Sequence, residues 1–174
     1  MQGLRYPIGK YEPQPFSEDL KNQWLQEIAQ LPDNLEQAIA NLNETQLQTP
    51  YRDGGWTVQQ LVHHIADSHL NSYIRFKLAL TENNPTITPY DEKLWAELND
   101  VKTVPVSVSV DLLRALHRRW ISALKDLSAD DWNKAFYHPQ QQKETTLWTA
   151  LGIYAWHGKH HAAHITALRE RMGW

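Results

Sequence analysis

The chain has 174 residues, 41% of them hydrophobic and 21% charged, which is enough apolar material for one folded domain spanning 1–174 and is incompatible with a disordered chain. With 17 Lys and Arg against 20 Asp and Glu the formal charge is −3, so the cationic excess that grips a phosphate backbone is missing and nucleic acid is not an expected partner. There is no cysteine, which excludes disulfides, iron–sulfur clusters, thiolate zinc sites and a Cys nucleophile; any thiol must arrive with a substrate.

From Ser17 to Leu42 the apolar residues Leu20, Trp24, Ile28, Leu31, Leu35, Ala38 and Leu42 recur every three or four positions. Ser17 can cap this helix and Glu18 and Asp19 suit its first turn, while Pro32 keeps the register and predicts a kink rather than a chain reversal. TPYRDGG reads as a turn, and Thr57 with Gln60 forms a capping box that opens a second helix to about Thr81. Residues 83–108 hold Pro85, Pro89 and Pro105 and read as a long surface connection with one short helical piece at Glu92–Asn99. A third helix follows over Ser109–Leu127, then a turn at Ser128–Trp132 and a loop, FYHPQQQKE. The fourth helix runs over Thr145–Met172. No period-two strand pattern is convincing, although VPVSVSV at 104–110 alternates briefly. The expected class is all-α, a four-helix bundle with a long middle connection. The N-terminal MQGLRYPIGKYEPQ has no apolar targeting core and no run of about 18 apolar residues occurs, so the expected location is the cytoplasm and no membrane partner is expected.

Nine His and eight Trp stand out. In the fourth helix, WHGKHHAAHI places His157 and His161 one turn apart on a row with Leu147, Ala150 and Tyr154, which faces the bundle. Two imidazoles so spaced can reach one ion, and binding it relieves the cost of burying their lone pairs. A further ligand must come from another helix. The second helix offers His63, His64 and His69; His64 shares a mixed row with Leu61, Ser68, Asn71 and Arg75, as a pocket-lining residue should. His69 falls with Val62, Ala66, Tyr73 and Phe76 and reads as a packed or capping residue, and His63 as one nearer the bundle edge. His117, on a face with Leu113 and Trp120, reads as a hydrogen-bonded structural residue whose removal leaves a metal in place, and His138 as a loop residue. Gly152 and Gly158, each costing about 1 kcal/mol relative to Ala inside a helix, predict a slim face for close approach. Trp56 and Trp156 are expected to wall the pocket.

The strings TPYRDGGWTVQQLVHHIADSHLNSYIRFKLALTE, YDEKLW, FYHP and ALGIYAWHGKHHAAHITALRERMGW together resemble the YfiT branch of the DinB-like four-helix-bundle superfamily, over nearly the whole chain. The resemblance implies a metal-dependent hydrolase whose divalent ion is held by one His of the second helix and an H-x-x-x-H pair of the fourth, here His64, His157 and His161. It implies zinc as the usual ion with nickel as the other choice, a cytoplasmic homodimer and a small-molecule substrate. Related DinB-like proteins transfer thiols such as bacillithiol, which makes thiol S-transferase the alternative activity; a non-catalytic metal-binding protein is the third reading. The metalloprotease motif HExxH is absent, since Gly158 stands where its Glu would be. No catalytic base is assigned. Asp67 is the nearest ionisable candidate on the second helix, and Arg75 is expected either to hold an anionic substrate group or to form an ion pair within the bundle.

Overall fold

The computed structural model of the chain describes residues 2–174. Its helices are α1 (Gln2–Arg5), α2 (Glu18–Ile39), α3 (Glu44–Leu47), α4 (Val58–Thr81), α5 (Glu92–Trp95), α6 (Asn99–Thr103), α7 (Val106–Leu124) and α8 (Leu147–Met172). A hairpin of β1 (Ala135–His138) and β2 (Lys143–Thr146) precedes α8. The four long helices α2, α4, α7 and α8 are the four expected from the sequence, and they form a bundle. Local chemistry fixes their starts. The Ser17 hydroxyl accepts from the Leu20 amide at 3.2 Å, and the capping box at Thr57 and Gln60 is complete in both directions, at 3.1 and 3.0 Å. The Thr146 hydroxyl accepts from the Thr149 amide at the start of α8, and Gly173, at φ 69°, ends the helix in the left-handed conformation glycine favours. Helix α2 runs unbroken through Pro32, with no chain reversal.

Three expectations are corrected. The third bundle helix starts earlier than expected: α7 begins at Val106, directly after Pro105, three residues before Ser109. The single piece at Glu92–Asn99 is two short helices, α5 and α6, and the polar stretch before the second bundle helix contains α3, whose N-terminus is closed by a reciprocal capping box between Asn43 and Gln46. The FYHPQQQKE loop is a hairpin in which Ala135 faces Thr146 and His138 faces Lys143. A two-stranded ribbon is marginal alone. This one is anchored because the Ile87 amide donates to the Tyr137 carbonyl, the Tyr137 amide donates to the Pro85 carbonyl, and Phe136 enters the core.

Around the bundle, α2 packs on α7 and α8, and α4 packs on the same two helices. The cyclic order is therefore α2–α7–α4–α8, with α2 and α4 across one diagonal and α7 and α8 across the other. This arrangement places α4 between the two helices that carry the remaining interior histidines. The core divides into two apolar clusters. One holds Trp24, Ile28, Phe76, Trp120 and Leu151, and the other Leu31, Leu35, Leu61, Leu113 and Ile165. On α4, α7 and α8 the interval between the clusters holds His69, His117 and His157–His164, so a layer of imidazoles separates two hydrophobic blocks.

The slim face of α8 meets α2. A Cβ on Gly152 would lie 2.5 Å from the Tyr11 hydroxyl and 2.6 Å from the Trp24 ring, and one on Gly158 would overlap the Leu31 side chain. Close packing explains both glycines. Because Trp24 is rigid and buried, Gly152→Ala is expected to lower the thermal midpoint by roughly 2–6 °C, overpacking outweighing the gain of about 1 kcal/mol in helix propensity. A rise in the midpoint on thermal denaturation would show that propensity wins and that the α2–α8 contact yields.

Candidate metal centre

Helices α4 and α8 bring His64, His157 and His161 together, each presenting one ring nitrogen within 4.8 Å of the others. Ring centroids are 5.4 Å apart for His64 and His157, 5.1 Å for His64 and His161, and 4.4 Å for His157 and His161. Imidazoles sharing a tetrahedral ion at N–metal distances of about 2.0–2.1 Å have centroids about 5 Å apart, so the three rings stand at a spacing that one ion spans. Burial pushes the His64 pKa down to about 4 and those of His157 and His161 well below the ordinary value, and the neighbouring imidazoles add to the effect on the last two. All three are therefore neutral at pH 7, the form that donates a lone pair to a metal.

The trio lines a cavity of about 800 Å³. Trp56 and Trp156 wall it as expected: the Trp56 ring lies 4.5 Å from that of His64, and Trp156 stacks on His160 at 4.4 Å and 18°. A second group of ring nitrogens within 4.8 Å comprises His160, His161 and His164 and shares His161 with the first. His164 is committed to structure, since its Nε2–H donates to the Arg5 carbonyl at 3.3 Å and its ring stacks on Tyr51 at 4.1 Å.

Among the remaining histidines His69 is packed as expected, whereas His63 departs from expectation. His63 is buried rather than at an edge, with Nδ1 2.7 Å from the Ser109 hydroxyl and Nε2 donating to the Val104 carbonyl at 3.1 Å, which ties α4 to the start of α7. His69 is fully buried. Its Nδ1 lies 3.0 Å from His117 Nε2 and its Nε2 lies 3.3 Å from His157 Nδ1, so it touches a member of the trio directly. Arg75 does not line the cavity and takes part in no ion pair among the described residues; burial lowers the pKa of His138, and the Arg75 charge adds to that effect. Asp67 is absent from the cavity wall too, and its pKa is raised to about 6 by burial and by Asp100.

Sequence periodicity did not reveal the rest of the cavity wall. Arg5, Arg52 and Lys93 face it from α1, from the turn before α4 and from α5, and Glu92 and Glu97 are on the same wall. These side chains come from connections, which have no helical period to read.

The DinB superfamily model matches residues 19–165. Proteins from Bacillus cereus (strain 03BB102) and Bacillus anthracis (strain A0248), each named "Putative metal-dependent hydrolase", are 56% identical to this chain over 175 residues, covering 100% of both sequences. The chain belongs to the DinB superfamily. Its structure also matches that of YfiT from Bacillus subtilis, described as "a probable metal-dependent hydrolase with an unusual four-helix bundle topology", with a TM-score of 0.96, 53% identity and 99% coverage of each chain. No helix among the described residues is long and apolar enough to cross a membrane.

The neutral imidazoles set a pH dependence of stability. His64 and His117 both have pKa values of about 4 in the folded chain, against 6.5 when unfolded. Between those values the unfolded chain binds protons that the folded chain refuses, so stability is fully present above about 6.5 and is lost as pH falls towards 4, by about 3 kcal/mol for each group. Asp67, with its raised pKa, works in the opposite sense but is a single group. Urea midpoints of the metal-free protein are expected to fall steeply from pH 6.5 to 4 and to stay nearly level from 7 to 8. A midpoint unchanged across the acidic interval would contradict buried neutral histidines.

Proposed function

We propose that the protein is a hydrolase that uses one divalent ion, zinc in the first place, held by His64, His157 and His161. The observation that carries this reading is the convergence of three neutral imidazoles from two helices on one wall of a cavity large enough for a small substrate. The three imidazoles, being neutral, would leave a bound divalent ion its full charge, and that ion would supply Lewis acidity towards a substrate carbonyl and a water of pKa about 7. The chain's own residues do the rest. His64, His157 and His161 offer lone pairs without neutralising the ion. Trp56 and Trp156 form apolar walls that keep bulk water from the reacting group. Arg5 and Arg52 place positive charge on the same cavity, where an anionic part of a substrate can be oriented.

The second reading is transfer of a low-molecular-weight thiol such as bacillithiol to an electrophile. The Arg5, Arg52 and Lys93 side chains favour it, since they line the cavity yet form no ion pair among the described residues and suit an anionic co-substrate.

Zinc-loaded protein is expected to cleave at least one member of a panel of small esters, amides and thioesters without added thiol. Chelation should abolish the activity and zinc should restore it. His157→Ala or His161→Ala should weaken zinc binding at least about 100-fold, because two ligands cannot replace three. Transfer of bacillithiol to an electrophile with no cleavage of the panel would replace the first reading by the second. Stoichiometric zinc retained at unchanged affinity in either variant would overturn both.

A further inference from the structure

We propose that His69 and His117 are positioning residues for His157: with the Ile28 carbonyl they form a one-way hydrogen-bonded relay that fixes the His157 ring as its Nδ1–H tautomer and offers only Nε2 to an ion. The inference rests on reading His157 as a metal ligand.

The relay starts at a defect in α2. Pro32 has no N–H, so the carbonyl four residues back, that of Ile28, has no helical donor. His117 Nδ1 fills the gap from α7 at 2.7 Å. A carbonyl only accepts, so this nitrogen carries the proton. In a neutral imidazole the other nitrogen is then a lone pair. His117 Nε2 therefore accepts from His69 Nδ1–H at 3.0 Å, which leaves His69 Nε2 as a lone pair in turn. That atom lies 3.3 Å from His157 Nδ1, which must donate to it. The last lone pair in the series is His157 Nε2. Each contact holds one proton, and the carbonyl end sets the direction of all of them.

The packing supports this order. The three hydrogen bonds join α2 to α7, α7 to α4, and α4 to α8, which are successive neighbours around the bundle. His69 and His117 are 0% and 1% exposed, so no water competes for these nitrogens. Neither reaches the cavity. Partners that orient a ligand imidazole in this way typically contribute 10–100-fold to metal affinity. On this proposal His117 bears on the metal through His69, in addition to the structural role expected of it.

Long-range proton–nitrogen NMR of metal-free protein labelled with nitrogen-15 at histidine reads the tautomer directly. At pH 7.5 the wild-type chain should show His157 protonated at Nδ1 and unprotonated at Nε2. His69→Leu should populate the Nε2–H form and weaken zinc binding about 10–100-fold in a chelator competition, and His117→Leu should shift both readouts in the same direction. In His69→Gln the amide oxygen can accept from His157 and the amide nitrogen can donate to His117, so this variant should recover both the tautomer and most of the affinity. A purely structural role would not separate Gln from Leu. Wild-type zinc affinity in folded His69→Leu overturns the proposal. A zinc-binding wild-type protein with His157 protonated at Nε2 overturns the relay alone, a reading that holds even if the Leu variants fail to fold. If the wild-type chain binds no zinc, the metal-ligand reading falls and the proposal falls with it.

Discussion

An imidazole inside a helical bundle has to be uncharged, and each of its two nitrogens needs a partner suited to its proton. This protein meets that requirement in full at His63, His69 and His117, each of which has a partner at both nitrogens. Every one of its nine histidines has a lowered pKa with burial as the first cause. An unpaired buried nitrogen costs about 1–3 kcal/mol, so a bundle with this many interior rings is stable only if the lone pairs are used. Carbonyls of Ile28, Val104 and Arg5 take the N–H groups of His117, His63 and His164. The lone pairs of His64, His157 and His161 are left to converge, and in a chain with no cysteine thiolate these neutral imidazoles are the donors gathered at one point.

The bundle order makes the convergence possible. With α2 and α4 on one diagonal, α4 touches both α7 and α8, so a ring on α4 can bridge rings on either side. Gly152 and Gly158 let α8 approach α2 closely, and the two apolar clusters hold the helices above and below the imidazole layer. Proline at position 32 serves the same layer. It frees one carbonyl on α2 where His117 needs an acceptor.

Much of this was legible in the sequence. The four long helices follow from their apolar period and from the caps at Ser17 and Thr57, and His64, His157 and His161 follow from helical rows that face inward. The family resemblance pointed to the same three residues. What could not be read lies between helices. The hairpin was missed because Lys143–Thr146 is polar and only four residues long, and the start of α7 was hidden by a valine alternation that mimics a strand. The position of Arg75 was misjudged because a shared helical row says nothing about depth along the bundle. His69 shows the limit most clearly. Its apolar row correctly marks it as buried, but only the cyclic order of the helices shows that its two nitrogens meet His117 and His157.

The proposed activity requires that three imidazoles, and no more, hold the ion while the cavity side stays open for a substrate. X-ray absorption at the zinc edge of the loaded protein counts them. Three imidazole nitrogens at about 2.0–2.1 Å are predicted for the wild-type chain, falling to two in His64→Ala. Four imidazoles, which would mean that His160 or His164 closes the site, or a count unchanged by His64→Ala, would contradict it.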